Sequence, residues 1–258
     1  MIAVIAGDVI GSVHEHGMGK STDFPLFDPL CRFTDDTVLT VATAHAILTG
    51  MPYDVAYRDF GRRYPNAGYG GSFYDWLFAD DPRPYNSWGN GSAMRVAPVG
   101  LAFDRVDDVL REAERSAAVT HNHAEGIKGA QATALAVFMA RSGASKSQIR
   151  EELAERFGYD LHRTIESIRP GYRWDVSCQG SVPEAIIAFL DSSDVEHAIR
   201  LAVSLGGDAD TQAAIAGGIA EAYYRVVPEH VVDAVRGCLP APFIDVIDTF
   251  GRRFPLPR

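Results

Sequence analysis

The sequence predicts a single all-α domain. Three observations carry that expectation. Ala-rich apolar runs of helical length recur along the chain, several open on Ser-x-x-Glu/Gln caps, and strand signals are thin. Residues 2–5, Ile2-Ala3-Val4-Ile5, are the one stretch that would suit a strand, and nothing later offers it a partner. Residues 38–48 are apolar and Ala-rich after the Thr34-Asp35-Asp36 turn, and Gly50 ends them. Residues 124–141 place Ile127, Ala130, Ala134, Leu135, Val137 and Phe138 close to a helical period, with Gly143 as the stop.

Ser145-Lys146-Ser147-Gln148 reads as a capping box. The Ser hydroxyl and the Gln side chain each satisfy a free backbone N–H. Ser181-Val182-Pro183-Glu184 repeats the pattern, with Pro in the first turn, where its missing N–H costs nothing. Ser193-Asp194-Val195-Glu196 does so again, and that helix runs to Leu205 before Gly206-Gly207. A further helix starts near Asp210-Thr211 and continues through Tyr223-Tyr224 to Pro228. Helices apolar on most faces belong in the middle of a bundle. Stretches 11–33, 64–95 and 169–181 read as long irregular loops, which in a compact domain are usually functional.

The 258 residues, 47% hydrophobic and 22% charged, suffice for one sizeable core, and no linker divides residues 1–258. A net charge of -10 disfavours general nucleic-acid binding. Cys31, Cys178 and Cys238 form no CxxC pair, so a reducing, cytoplasmic setting is the simple reading. Residues 1–8 are apolar but lack a basic start and meet Asp8. They resemble neither a secretion signal nor a membrane span.

Two acidic clusters stand out, Thr34-Asp35-Asp36-Thr37 and Gly206-Gly207-Asp208-Ala209-Asp210-Thr211. One Asp at a helix start has a plain explanation as a cap. Paired carboxylates repel unless something positive neutralises them, and here two distant clusters share one composition. Oxygen ligands of this kind suit Mg²⁺, Mn²⁺ or Ca²⁺. Glu15 stands in a Gly-flanked loop beside His14 and His16, placed for general acid or base work. The nearby Gly19-Lys20-Ser21 is no P-loop, because His14 occupies the position of the required first glycine. The run 85–95, with Ser87-Trp88-Gly89-Asn90-Gly91, suits either a plain surface turn or a nest of N–H groups for phosphate. His121 precedes the long 124–141 helix as a cap, a hydrogen-bonding group or a ligand.

Taken in order, Ala6-Gly7-Asp8-Val9-Ile10-Gly11-Ser12 with Glu15, Phe33-Thr34-Asp35-Asp36-Thr37, Gly89-Asn90-Gly91-Ser92-Ala93-Met94-Arg95, Thr120-His121 and Ser204-Leu205-Gly206-Gly207-Asp208-Ala209-Asp210-Thr211 resemble the ADP-ribosylglycohydrolase family. That family includes the dinitrogenase-reductase-activating glycohydrolases. The resemblance spans roughly residues 3–225, loosely over 141–175.

It implies a compact orthogonal helical bundle with a cleft holding two Mg²⁺ or Mn²⁺ ions. Thr34, Asp35 and Asp36 would be ligands from one side and Asp208, Asp210 and Thr211 from the other, with Asp210 bridging. Glu15, Asp36 and Asp210 would carry catalysis. The turn Ser87, Trp88, Gly89, Asn90, Gly91 would hold a diphosphate, His121 would touch the substrate, and Tyr85 and Trp88 would meet adenine.

The implied reaction is hydrolysis of the bond between ADP-ribose and an acceptor side chain, by a monomer acting on an ADP-ribosylated protein or ADP-ribose derivative. Arginine is the preferred acceptor. Loops 11–33 and 64–84, with Asp23, Asp28, Tyr69, Tyr74 and Asp75, would line the leaving-group side. The competing readings are a silent ADP-ribose-binding module and a hydrolase of another ADP-ribose derivative or nucleotide.

Overall fold

The computed structural model describes residues 1–15, 17, 19–256 of the chain. His16, named above beside Glu15, lies outside the described residues. Fifteen helices and no strands occur among the described residues, as the sequence predicts. A single antiparallel bridge joins Gly89 to Ser177. No described helix is long and apolar enough to cross a membrane.

Two helices form the centre. α1 (Ile2–Gly11) is a helix, which removes the strand considered for residues 2–5. Every residue from Ala3 to Gly11 is buried, so the run has no polar face from which to read a period. No local side chain caps it. The N–H of Ala3 instead donates to Glu221 Oε2 at 2.7 Å, a cap supplied from the far end of the chain.

α1 lies antiparallel to α13 (Ala209–Tyr224), at a spacing that only glycine permits at the crossing. A Cβ on Gly7 would fall 2.2 Å from the Ala213 carbonyl carbon, and one on Gly11 would fall 2.4 Å from the Asp210 Cα. α13 stops at Arg225, which adopts φ 62, three residues short of Pro228.

The remaining helices wrap this pair. α2 (Asp35–Thr49) ends on Gly50 at φ 74, as expected. It packs on α3 (Tyr53–Arg63), which leads to α4 (Gly71–Phe78). α5 (Gly91–Met94), α6 (Ala97–Ala102) and α7 (Val106–Ala118) bring the chain to α8 (Ala124–Arg141), whose bounds match the sequence reading. α9 (Lys146–Phe157) begins with the expected reciprocal Ser145–Gln148 capping box. α10 (Ile165–Ile168) and α11 (Cys178–Asp191) follow, and α11, α12 (Val195–Val203) and α8 all pack on α13. α14 (Glu229–Cys238) and α15 (Ala241–Arg253) close the bundle against α1 and α2.

Two helix starts differ from the sequence expectation. α11 begins at Cys178 under a Ser177 cap, so Pro183 sits inside the helix and withholds the N–H that Gln179 O would accept. Ser181 donates its hydroxyl back to Ser177 O at 2.6 Å and does not cap. α12 is capped by Asp194, which accepts from the His197 N–H at 2.8 Å, one residue later than Ser193. The stretch 64–95, read as irregular, contains α4 and α5.

Candidate active site

The N-termini of α2 and α13 meet over α1, and the two acidic clusters meet with them. Asp36, Asp208, Asp210 and Thr211 are all buried. Carboxylate oxygens of Asp8, Asp36 and Asp210 lie within 4.8 Å of one another, and so do those of Glu15, Asp208 and Asp210. Asp210 belongs to both groups.

Asp8 is the organiser that the sequence reading left without a role. It is fully buried on α1 and accepts four hydrogen bonds. Thr34 donates its N–H at 2.9 Å and its hydroxyl at 2.6 Å. Thr37 donates its N–H at 3.1 Å and its hydroxyl. One carboxylate on the central helix therefore pins the first turn of α2. Thr34, expected as a metal ligand, spends its hydroxyl hydrogen on Asp8 and does not line the cleft.

The electrostatics are unfavourable without a cation. Burial, then repulsion from Asp8, Asp208 and Glu15, pushes Asp35 up to about 8. Burial first, then Asp8, Asp35 and Asp208, raises Asp36 well above the carboxylate range. Burial, then Asp36 and Asp208, does the same to Asp210. Burial also raises Asp8, against the hydrogen bonds from Thr34 and Thr37. Among the described residues Asp36 Oδ1 is buried with no hydrogen-bond partner, while Oδ2 has only the Thr211 hydroxyl at 3.4 Å. An all-oxygen donor set with a bare buried oxygen fits a hard divalent cation.

The cluster floors a cleft of about 540 Å³ whose walls include Glu15, Asp35, Tyr85, Trp88, His121 and Trp174. The glycine turn forms one wall, but its amides are partly engaged. Gly89 N–H donates to Ser87 Oγ at 3.1 Å and Asn90 N–H to Val176 O at 2.8 Å. The expected nest is thus a braced turn. Asn90 turns its amide toward the acidic floor, donating to Asp208 Oδ2 at 2.6 Å and to Ser181 Oγ at 3.2 Å. Trp88 is half-exposed, and Tyr85 packs with its ring centroid 6.0 Å from that of His121. Trp174, on the loop before α11, is a second half-exposed cleft tryptophan that the sequence reading missed.

The leaving-group residues do not assemble as expected. Asp23, Asp28, Tyr74 and Asp75 are exposed and do not line the cleft. Tyr69 stacks on Phe73 and buries its hydroxyl. The 64–84 stretch lines the cleft with Gly68, Gly70, Gly71, Ser72 and Phe73, none of them charged. Lys20 acts as a brace, donating from Nζ to Leu205 O and to Tyr172 O at 2.8 Å.

The chain matches the ADP-ribosylglycohydrolase family model over residues 1–255. It is 30% identical to the ADP-ribosylhydrolase ARH3 of Homo sapiens, over 76% of this chain and 72% of that protein. Against the ADP-ribosylhydrolase ARH3 of Bos taurus the identity is 29%, over 78% and 73% respectively. Among solved structures, an ADP-ribosylglycohydrolase-related protein complex superposes with a TM-score of 0.75 at 27% identity, covering 97% of this chain and 95% of that one.

Proposed function

The chain belongs to the ADP-ribosylglycohydrolase family, whose members hydrolyse ADP-ribose linkages, and from that premise we propose a metal-dependent enzyme that frees ADP-ribose from an acceptor side chain. One observation carries the reading: two carboxylate groups sharing Asp210 form the floor of a cleft walled by the glycine turn and His121. Thr34, Asp35 and Asp36 at the start of α2, and Asp208, Asp210 and Thr211 at the start of α13, would hold two Mg²⁺ or Mn²⁺ ions, Thr34 through the lone pairs its hydroxyl keeps while donating to Asp8. Those ions supply charge neutralisation and Lewis acidity. Asp8 holds α2 in register for this ligand set.

Glu15 is the general base in this reading. It removes a proton from water as the water oxygen bonds to the anomeric carbon and the bond to the acceptor breaks, its electron pair leaving on the acceptor nitrogen so that a guanidinium departs as neutral guanidine. The carboxylate-rich floor, Asp36 and Asp210 included, favours the positive charge that builds on the sugar. Ser87, Gly89, Asn90, Gly91 and His121 position the diphosphate side, and Tyr85, Trp88 and Trp174 offer rings for the base. The rest of the reading is one domain over residues 1–258, working as a monomer in the cytoplasm. The family match over residues 1–255 supports the single domain, and three free cysteines suit a reducing compartment.

Arginine is the acceptor proposed, on the family resemblance. A hydrolysis assay with Arg-, Ser- and Glu/Asp-linked ADP-ribosyl peptides tests it, run in Mg²⁺ and in Mn²⁺. Fastest release from the arginine peptide is expected. Faster release from serine overturns the acceptor and leaves the hydrolase standing. Binding of ADP-ribose with no release from any peptide replaces the enzyme with a binding module.

The carboxylate shifts also fix a pH dependence. A carboxyl whose folded value is raised binds its proton more tightly in the native state. Its contribution to stability is present below the ordinary value of 3.8 and is lost as pH rises toward about 8, the value for Asp35. A cation binds the charged form and cancels that loss. The melting-temperature gain from Mg²⁺ over a chelator should therefore grow from pH 5 to pH 8. A gain that is absent, or that shrinks with pH, removes the metal from the reading.

A further inference from the structure

Arg95 is a fully buried cation with no carboxylate partner among the described residues. Its guanidinium lies 4.2 Å from the Tyr57 ring centroid. Nη2 donates to Ser116 O at 3.1 Å and to Thr120 Oγ1 at 2.9 Å, while Nε and Nη1 have no partner. Thr120 Oγ1 in turn lies 2.7 Å from His121 Nδ1. The Tyr85 ring packs against the same imidazole, its centroid 6.0 Å from that of His121. A motif residue outside the carboxylate cluster is thereby wired to the one histidine in the cleft wall among the described residues.

The protons along this chain can be assigned. A guanidinium only donates, so Thr120 Oγ1 accepts from Arg95. Burial pushes the Tyr85 phenol up to about 12, so it keeps its hydrogen near neutral pH. An imine nitrogen of imidazole is a strong acceptor for a hydroxyl hydrogen. Among the described residues His121 Nδ1 is the acceptor recorded for the Thr120 hydroxyl, so Thr120 sends its hydrogen there. That leaves the imidazole proton on Nε2. The Nε2 atom lies against the glycine turn, 3.2 Å from where a Cβ on Gly91 would stand.

We propose that Arg95 and Thr120 are positioning residues that fix His121 as a neutral imidazole protonated on Nε2, a standing hydrogen-bond donor to ligand oxygens in the cleft and neither an acid nor a base. Burial, then the Arg95 charge, holds His121 well below the ordinary histidine range, in keeping with this. Among the described residues the groups recorded against the ring are Arg95, Thr120, Tyr85 and the Gly89 and Gly91 turn, and none of them is an anion at neutral pH. The buried cation thus discourages a second positive charge beside it, and the hydroxyl selects the tautomer. The ligand role rests on the ADP-ribosyl reading above, whereas the tautomer does not.

Long-range ¹H–¹⁵N correlation on the full chain in Mg²⁺ reads the tautomer directly, with His121 assigned by its loss in His121→Asn. The expected spectrum shows a bare Nδ1 and a protonated Nε2, unchanged from pH 6 to pH 8. Thr120→Val should mix the tautomers and weaken ADP-ribose binding about fivefold to tenfold, the value of one ordinary hydrogen bond. Thr120→Ser should restore both. An imidazolium, or a proton on Nδ1, in the parental protein overturns the proposal without any variant needing to fold. So does a Thr120→Val protein with parental spectrum and affinity. The expected tautomer in a protein that binds no ADP-ribose would overturn the ligand role and, with it, the functional reading.

Discussion

Asp36→Asn is expected to cut ADP-ribose release by about 10³-fold or more and, in the same protein, to raise the melting temperature measured in chelator. The activity loss follows from the donor set. Carboxylate oxygens of Asp36, Asp8 and Asp210 lie within 4.8 Å of one another, and the buried Asp36 Oδ1 has no hydrogen-bond donor among the described residues. An amide keeps the volume but loses the charge, and its NH₂ cannot act as a ligand. The stability gain follows from the same geometry. Repulsion from Asp8, Asp35 and Asp208 and the cost of burying the ionised carboxyl disappear together. A gain of about 1 kcal/mol corresponds to roughly 2–4 °C for a chain of this size.

Opposite signs of the two effects are the signature of a site held strained for function. Asp23→Asn, at an exposed position outside the cleft, should move neither. Parental turnover by Asp36→Asn would detach the reaction from this cluster. A fall in melting temperature would make the residue a structural one.

What the sequence discloses follows the range of the forces involved. α8 and the Ser145–Gln148 cap of α9 are legible because period, cap and stop lie within a few residues of each other. α1 is not, because its cap is Glu221 and its apolar residues cover every face. The α11 start is misread because a Ser-x-x-Glu pattern inside a helix looks the same as one at its beginning, and only Ser177 accepting from Gly180 decides between them. α4 hides in a run whose Gly, Pro and aromatic content masks eight helical residues.

The site divides the same way. Asp35-Asp36 and Asp208-Asp210 advertise themselves, since like charges so close in sequence imply a counter-ion. Asp8 does not, being one carboxylate in an apolar helix whose four donors arrive from Thr34 and Thr37. The leaving-group side rests on the resemblance and on loop composition, with no cap or period to orient the side chains. Asp23, Asp28 and Asp75 then fell on the exposed surface, because nothing in a loop's composition says which way it turns. Trp174 illustrates the converse, a single aromatic in an unremarkable loop that the fold delivers to the cleft.

Gly11→Ala should cost about 3 kcal/mol or more and abolish turnover, although Gly11 itself offers no group to a ligand. Its added methyl would lie 2.4 Å from the Asp210 Cα, 2.5 Å from the Asp210 N and 2.7 Å from the Ala209 carbonyl carbon. These are backbone atoms of the first turn of α13, so no rotamer change relieves the clash and the helices must part. Parting moves Asp210 away from Asp8 and Asp36, the distances on which a shared cation depends. A displacement near 1 Å costs about 10²-fold in a preorganised site.

Gly7→Ala makes the same clash one turn earlier, against the Ala213 carbonyl at 2.2 Å, and should destabilise as much. Gly237→Ala is the control. It is exposed within α14 with nothing within 4 Å of its added methyl, and helix propensity predicts a gain of roughly 0.5–1 kcal/mol. Thermal melts and turnover on the three variants separate the contributions. A stable Gly11→Ala protein with parental turnover would show that the α1–α13 crossing does not set the geometry of the acidic floor.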